Sequence, residues 1–499
     1  MTFSDRSDTI IEVSAGQTVP RKFGEDFVMA NNLVYGVHDK PKFGSMLLFA
    51  LQQVLAILAA TILVPAIIGN GMSQSAALFG AGVGTLIYQL FTKFKSPVFL
   101  GSSFAFIGSM SAAFAGGVAF VARGYAGIIL GAIFAGLVYV IIAIIVKFAG
   151  VAWINKLMPA VVIGPTVALI GLSLAVNAVN DLTVGKVGHM EETVVTTIKD
   201  GAIINVTDPQ SAFISDCSPY VALICGIVTL LSIFLFSVYG KKMAKLIPFV
   251  LGIAVGYVVA SIFTVIGIAT NNVAFQVINF AAFKEMQIFA VPDFTFLEAV
   301  NGIKAIDASF VATIAVAYIP VAFVVFAEHI ADHRNLSTII EKDLLKDPGL
   351  HRTLLGDGVG SMAGAFFGGC PNTTYGESVG CVAITRNASV ITISTAAIMC
   401  MVISFFGPFV TLLSSIPNCV MGGVCVALYG FIAVSGLKMI QKVDLNESRN
   451  LFVVSAILIP GIGGLTLSFG QITITTVACS LILGIVTNIL LNKFKKKAD

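Results

Sequence analysis

One carboxylate in the second half of the chain stands in a segment that should not form a regular helix. Glu377 lies within Cys370–Gly380, where Pro371, Gly376 and Gly380 interrupt an apolar region. Proline and glycine are the poorest helix formers, so the backbone is predicted to be broken there. A bilayer tolerates broken backbone only where protein or a water-filled cavity satisfies its polar groups, and an ionisable residue at that depth indicates a functional site. We interpret the segment as one wall of a substrate site.

A second ionisable cluster ends an earlier apolar stretch. Glu328 and Asp332 are four residues apart, so a helix presents both carboxylates on one face. A carboxyl group in lipid tends to protonate, which suits it to hold a hydrogen-bonding solute and to carry a proton. The alternative is that Asp332 and His333 lie among lipid headgroups and only mark the helix end. His329 and His333 have a zinc-like spacing, but without an HExxH motif or a third ligand cluster we predict no metal.

The elements that position these residues must lie in a membrane. The 499-residue chain is 57% apolar and 11% charged, whereas soluble domains carry roughly 25% charged residues. The net charge of +3 gives no reason to expect nucleic acid. The eight cysteines occur singly and are predicted to be buried thiols, and residues 1–42 are polar with no signal peptide. No nucleotide-binding loop or catalytic triad pattern is present, so we predict no enzyme.

Fourteen apolar stretches are predicted to span or enter the membrane. Three of them, 97–115, 354–369 and 373–387, are too short or too broken for a full helix. Two outward loops are long, 179–218 and 269–307; the first is predicted to be strand or coil, and 333–352 a cytoplasmic helix with a turn. The fourteen stretches are 44–68, 74–92, 97–115, 124–147, 157–178, 219–239, 246–268, 308–332, 354–369, 373–387, 389–414, 417–437, 450–468 and 471–492.

The basic residues predict the orientation. An even number of spans puts both ends of the chain on one side, and that side holds 24 of the 29 lysines and arginines under this layout. The other side keeps the remaining five, Arg123, Lys186, Lys199, Lys284 and Lys304. By the positive-inside rule, both termini are predicted to be cytoplasmic.

Two interrupted spans occupy matching positions in the two halves. Gly101–Phe106 in span three is small, hydroxyl-rich and aromatic, and its counterpart in span ten is Asn372–Glu377. Seven spans per half would place the halves in opposite orientations, which is the inverted-repeat design of many transporters. The alternative is that these small residues only permit close helix packing.

The chain resembles the nucleobase–ascorbate (nucleobase:cation symporter-2) transporters, and within them the bacterial uracil permeases. The resemblance runs from about residue 44 to the C-terminus. Its signature after span ten reads Glu377-Ser378-Val379-Gly380 and ends Thr385-Arg386. The strongest segments are Gly101–Ile107, Ala327–Ile330, Lys342–Arg352 and Pro371–Arg386.

The resemblance implies an all-α polytopic membrane protein with fourteen spans in two inverted repeats of seven. Short antiparallel strands are expected in spans three and ten, and a homodimer is expected to form through the gate domains. Spans 1–4 and 8–11 would form a core and spans 5–7 and 12–14 a gate. The implied boundaries are an N-terminal segment 1–43, spans 1–5 within 44–178, gate spans 6–7 within 219–268, core spans within 308–414, gate spans within 415–492 and a basic tail 493–499.

The implied function is proton-coupled uptake of a nucleobase through the cell membrane, uracil first. Glu328 and Glu377 match the two substrate-binding carboxylates; pocket positions are matched by Phe104, Tyr375, Gly376 and Tyr429. Our hypothesis is that Glu328 carries the proton, assisted by Asp332 or His333, with the proton as coupling ion and no cofactor. Alternatives are a xanthine or uric acid carrier and, from another class, an anion transporter or channel of the same fold.

Three positions depart from the family pattern. Ser378 stands where the family usually has Asn, and Gln52-Gln53 where it usually has Gln-His. Asp332 stands where uracil carriers have His and purine carriers commonly have Asp. Glu377 is the residue typical of uracil carriers, whereas purine carriers tend to have Gln.

Overall fold

The structure is a computed structural model that describes residues 33–115, 121–150, 159–199, 202–241, 243–284, 286–469 and 472–498. Helices dominate, as predicted. Eight helices in these described ranges are long and apolar enough to cross a membrane, and three further apolar helices are shorter. Large apolar side chains such as Ile141, Phe148 and Phe452 are exposed on the outside, as expected of surfaces that face lipid. The count of fourteen spans and the inverted repeats stay predictions.

The first half of the chain begins with a long apolar helix and ends with two more, which are separated by a short helix. Its elements are α1 (Phe43–Ile68), α2 (Gln74–Phe91), β1 (Leu100–Ser102), a 3₁₀ turn (Phe104–Phe106), α3 (Ile107–Ala113), α4 (Val121–Ala149), α5 (Ala160–Ser173), α6 (Ala175–Asp181), β2 (Gly188–Lys199), β3 (Ala202–Ser215), α7 (Pro219–Tyr239), α8 (Met243–Leu246) and α9 (Pro248–Ala269).

The second half also consists mainly of long helices, with one segment in which the helix is broken. Its elements are α10 (Thr295–Val300), α11 (Ala308–Ile340), α12 (Leu350–Gly368), β4 (Asn372–Thr374), α13 (Gly376–Thr385), α14 (Val390–Ile403), α15 (Gly407–Ser415), α16 (Asn418–Ile440), α17 (Ser448–Ile462), β5 (Leu467–Phe469), β6 (Ile472–Ile474) and α18 (Thr476–Ala498). Asp307 caps α11: its carboxylate accepts the Phe310 N–H at 2.7 Å, and this bond holds the pKa of Asp307 below its ordinary value.

The two interrupted spans meet in a short antiparallel pair, which confirms the strands expected in spans three and ten. β1 pairs with β4 through the partners Leu100 with Thr374, Gly101 with Thr373 and Ser102 with Asn372. All six strand residues are buried. Because backbone in a membrane interior must find partners within the protein, each broken span supplies the hydrogen bonds that the other lacks.

The long helices pack into two groups. In the first group α12 lies against α2 and α4, while α11 packs on α4 and α14 on α1 and α2. In the second group α16 packs on α5 and α7, α9 on α7, and α17 on α5 and α18. The groups touch where α11 meets β6 and α18 and where α1 meets α9. β1 and β4 belong to the first group.

Several predicted boundaries were wrong. The stretch 354–369 is not too short, because α12 is a full helix of 19 residues. Its glycines lower helix propensity but permit close contact with α2: a Cβ on Gly84 would lie 2.7 Å from the Gly360 carbonyl oxygen. The stretch 389–414 divides into α14 and α15, and 471–492 includes a strand, β6, that pairs with β5. By contrast, α5 and α6 adjoin end to end and together give one span-length segment, Ala160–Asp181, in agreement with the predicted stretch 157–178.

Two further expectations concern the loops and the thiols. The loop 179–218 contains the antiparallel hairpin of β2 and β3, so the prediction of strand or coil is confirmed as strand. All eight cysteines are buried free thiols, as predicted. The N-terminal residues up to 32, including most of the polar lead, lie outside the described residues.

Candidate functional site

The strand pair places the N-terminus of α13 within the first helix group. α13 begins at Gly376, immediately after β4 and Tyr375, and its first N–H groups have no intrahelical partner. Gly376 is exposed, and the only atom near a Cβ built on it is Asp332 Oδ1 at 3.8 Å. The helix start therefore faces open space, with donors available for a solute.

The two predicted carboxylates border this space. Glu328 is exposed although Phe326 and His329, on the same helix, are fully buried, which marks a water-accessible crevice inside the fold. Glu377 occupies the first turn of α13 and is half-buried. The two side chains lie close enough to interact electrostatically. Glu377 thus lies at the end of α13 where the helix dipole favours negative charge.

Asp332 lies one turn beyond Glu328 on α11, and it joins the same cluster. Its Oδ2 atom accepts a hydrogen bond from Thr374 Oγ1 at 2.8 Å, and only 8% of the residue is exposed. It interacts electrostatically with both Glu328 and Glu377. The structure thus brings the three predicted carboxylates together, with Asp332 anchored to β4 and Glu328 facing the crevice.

Aromatic side chains form the walls. The Tyr375 hydroxyl donates to the Ser102 carbonyl oxygen at 2.6 Å, so this phenol is held by β1. Its ring covers Gly101 so closely that a Cβ there would lie 2.4 Å from a ring carbon. Phe104 meets Tyr429 of α16 edge to face, with ring centroids 6.3 Å apart. Phe104 and Tyr429 therefore close the site where the two helix groups adjoin.

His333 does not mark the end of a helix. α11 continues to Ile340, and His333 is fully buried, which excludes the headgroup interpretation for this residue and for Asp332. Its Nδ1 atom lies 2.8 Å from the His329 carbonyl oxygen, and its Nε2 atom lies 2.6 Å from the Tyr88 hydroxyl. A helix with a turn was predicted over 333–352, and its first part is this continuation of α11 to Ile340.

Sequence reasoning missed the partner of His329. The Nδ1 atom of His329 lies 2.6 Å from Asp357 Oδ2, and its Nε2 atom lies 3.0 Å from Thr353 Oγ1. Both side chains of the His329–Asp357 pair are at most 1% exposed. The available signal was Asp357 itself, a carboxylate in the apolar, glycine-rich stretch 354–369. Within the described residues, no group of three or more His, Cys, Asp or Glu side chains is placed to hold a metal ion.

Two of the three positions that depart from the family pattern, Gln53 and Ser378, contact each other. Gln53 Nε2 on α1 donates to Ser378 Oγ on α13, and the backbone N–H of Phe99 donates to the same oxygen at 3.0 Å. A single hydroxyl therefore ties span one, the approach to β1 and the broken span ten together. Gln53 is 2% exposed and Ser378 is fully buried, so water does not compete for these bonds.

Comparison with known proteins agrees with this architecture. A family model described as "Permease family" matches residues 44–217 and 202–470. The chain is 36% identical to the uracil permease of Bacillus caldolyticus over 464 residues, covering 92% of this chain and 95% of that protein. The chain belongs to the nucleobase–ascorbate permease family. It is also 32% identical to the uracil permease of Escherichia coli K12, covering 90% of this chain and 92% of that protein.

Solved structures agree on the fold. The transmembrane domain of the cyanobacterial bicarbonate transporter BicA superimposes with a TM-score of 0.59 and 14% identity, covering 91% of this chain and all of that domain. Murine Slc26a9, an anion transporter, gives a TM-score of 0.59 and 12% identity, covering 98% of this chain and 77% of that protein. This permease is therefore a multi-pass membrane transporter and not an enzyme.

Proposed function

We propose that this permease takes up uracil together with protons. The observation that carries the proposal is the meeting of Glu328 and Glu377 at a crevice bordered by the N-terminus of α13. Relatives that match nearly the whole chain are uracil permeases. Glu377, the residue typical of uracil carriers, supports the same substrate.

The chemistry of this site suits a pyrimidine base. Uracil is flat and neutral, with N–H donors and C=O acceptors around its ring. Carboxylates at 328 and 377 accept from N–H groups, and the main-chain N–H groups that start α13 donate to a carbonyl oxygen. The Phe104 and Tyr429 rings offer apolar faces for stacking. A site that pairs each polar group of one base rejects analogues that leave those groups unpaired.

The clustering of acids supports proton coupling. Three carboxyl groups that interact electrostatically cannot all be charged without cost, so binding and release of a proton accompany changes in their surroundings. We assign the transported proton to Glu328, which faces the crevice, with Asp332 assisting. His333 would assist only through the buried hydrogen bonds around it.

The moving parts are proposed to be a core and a gate. The two helix groups support this division, since the carboxylates and the strand pair belong to the first group and Tyr429 to the second. Alternating access would then follow from the first group moving against the second. We further propose a homodimer through the gate, a location in the cell membrane and cytoplasmic termini, the last supported by the distribution of lysine and arginine.

The test is uptake of labelled uracil by liposomes containing the purified protein under an inward proton gradient. Glu328→Gln is expected to keep some uracil binding and lose accumulation, and Glu377→Gln to weaken uracil binding. Glu298→Gln is the matched control, because Glu298 is an exposed carboxylate on α10. A protonophore is expected to abolish accumulation. Undiminished gradient-driven uptake by Glu328→Gln would refute its role as proton carrier.

Asp332 favours a second candidate, a xanthine or uric acid carrier, because purine carriers commonly have Asp at this position. Unlabelled xanthine and ascorbate as competitors decide between the substrates: competition by xanthine at concentrations where uracil fails to compete would assign the purine. The fold is shared with anion transporters, but the carboxylates of the proposed site would repel an anionic substrate.

A further inference from the structure

Away from the carboxylate cluster, two adjoining cavities open where α4 ends and α12 begins. One has a volume of about 340 Å³ and lies between the last turn of α4, α11 and the start of α12. The other has a volume of about 350 Å³ and lies between α4, α12 and the end of α2. Lys147 and His351 line both, so the two cavities adjoin at these side chains, and we call the pair of cavities the α4–α12 recess.

The recess is basic. Lys147, Arg334, Lys346, His351 and Arg352 line it, and none of its described lining residues is Asp or Glu. Two carboxylates lie nearby. Asp347 pairs with Lys95, which does not line the recess, at 2.7 Å, whereas Asp343 lies 3.6 Å from Lys346, one of the lining cations.

Two cations of the recess are available to a ligand. Lys147 and Arg334 are exposed, and neither has a carboxylate partner among the described residues. They approach the recess from different helices, α4 and α11. An anion held between them would be contacted by both charges at once, and Arg presents two parallel N–H donors to a phosphate.

The other side of the recess is apolar and open to lipid. Phe91, Ile144, Phe148 and Leu355 line the second cavity. On α4, Ile141, Ile144 and Phe148 follow one another at helical spacing and are 55%, 51% and 81% exposed. This exposed strip leads along α4 toward Lys147, whose Nζ atom lies 5.5 Å from the centroid of the Phe148 ring.

We propose that the α4–α12 recess binds an anionic phospholipid. The phosphate lies between Lys147 and Arg334, and an acyl chain follows the apolar strip of α4. Basic pockets between transmembrane helices at the cytoplasmic surface are suited to anionic headgroups, because nearby Lys and Arg side chains attract their negative charge. A free phosphate would use the cations but would leave the apolar strip without a function.

The bound lipid would contact the helix that carries the proposed site. Arg334 follows Asp332 by two residues on α11, and α11 packs directly on α4. Occupation of the recess would therefore join α4 and α11 at the end where His333 and Tyr88 also meet. Lipid binding is independent of which base the permease carries.

The experiment measures phosphatidylglycerol retained by the full-length protein after purification, by native mass spectrometry and by the shift of the thermal midpoint on adding the lipid. The double variant Lys147→Gln/Arg334→Gln is expected to weaken phosphatidylglycerol binding at least tenfold. Phosphatidylcholine is the neutral control lipid. The matched control variant is Lys438→Gln/Lys442→Gln, which removes two exposed cations at the end of α16. Uracil binding by each variant verifies its fold.

Three outcomes would overturn the proposal. Equal loss of lipid from both double variants would mean that net charge alone attracts the lipid, and no loss from Lys147→Gln/Arg334→Gln would place the lipid elsewhere. Binding of inorganic phosphate by the recess with no retention of phosphatidylglycerol would assign the recess to a free anion. The variant Phe148→Asn tests the apolar strip independently. It should weaken lipid binding and leave phosphate binding unchanged. An unchanged lipid affinity would exclude a role for the apolar strip in lipid binding.

Discussion

The buried His329–Asp357 pair should contribute measurably to stability, and a double-mutant cycle can isolate its contribution. His329 Nδ1 and Asp357 Oδ2 are 2.6 Å apart, and the side chains are 0% and 1% exposed. Removing one partner leaves the other without its hydrogen bond and out of reach of water. For buried pairs this costs about 3–5 kcal/mol. His329→Ala and Asp357→Ala are therefore each expected to destabilise the protein by that amount.

The double variant should be more stable than the sum of the single effects predicts. Its cavities add to the cost, but no unpaired polar group remains at either position. We expect a coupling energy of about 2–3 kcal/mol, which is roughly a 30- to 150-fold change in the unfolding equilibrium constant. The assay follows helical circular dichroism while the detergent-solubilised protein is unfolded by increasing SDS, with the four proteins measured in parallel.

Thr338→Ala provides the control for this cycle. Thr338 lies on the exposed face of the same helix, and its hydroxyl bonds only the Arg334 carbonyl oxygen at 3.0 Å. The change should alter stability by less than about 0.5 kcal/mol and should add to Asp357→Ala without coupling. If the His329 and Asp357 variants were additive within about 0.5 kcal/mol, the pair would not act as a unit and the reasoning would be refuted.

Three further predictions test other contacts. Gly101→Ala should weaken uracil binding roughly tenfold, because its Cβ would displace the aromatic wall by overpacking, whereas Gly108→Ala, with no atom within 4 Å, should not. Ser378→Ala should cost about 1–3 kcal/mol in SDS unfolding, because two buried donors lose their acceptor, whereas Ser394, whose hydroxyl has no partner in the described structure, should tolerate Ala. Asp307→Ala should lower the thermal midpoint at neutral pH. Because the folded pKa of Asp307 is depressed, this difference should vanish as pH falls through that pKa, whereas Asp307→Asn should keep the cap at every pH.

Much of the architecture could be predicted from the sequence, because the bilayer restricts which backbone structures can cross it. Apolar runs near 20 residues have to be helices, and α1, α2 and α9 begin and end within a few residues of the predicted limits. The broken segment at Pro371 and Gly376 was also readable, since these residues disfavour helix wherever they stand. Its matched segment at Gly101 was found by comparing the two halves, and the two segments do pair.

What could not be read depends on contacts between distant parts of the chain. Gln53 and Ser378 are 325 positions apart, so their hydrogen bond is invisible until α1 and α13 are packed together. Asp357 lies in the stretch 354–369, which was predicted to be too short or too broken for a full helix. Propensity would break that stretch, but packing against α2 outweighs propensity, and the resulting helix turns Asp357 toward His329.

The contact between Phe104 and Tyr429 has a mechanical consequence. Around β1 and β4 the attachments are oriented hydrogen bonds, including the one from Tyr375 to Ser102 and the two that converge on Ser378. Oriented bonds resist shear, because a displacement of an ångström breaks them. The edge-to-face contact of Phe104 with Tyr429 is less directional than a hydrogen bond, so a small displacement costs less there. In the alternating access proposed above, we therefore expect displacement between the two helix groups to occur at this aromatic contact and not within the hydrogen-bonded strand pair.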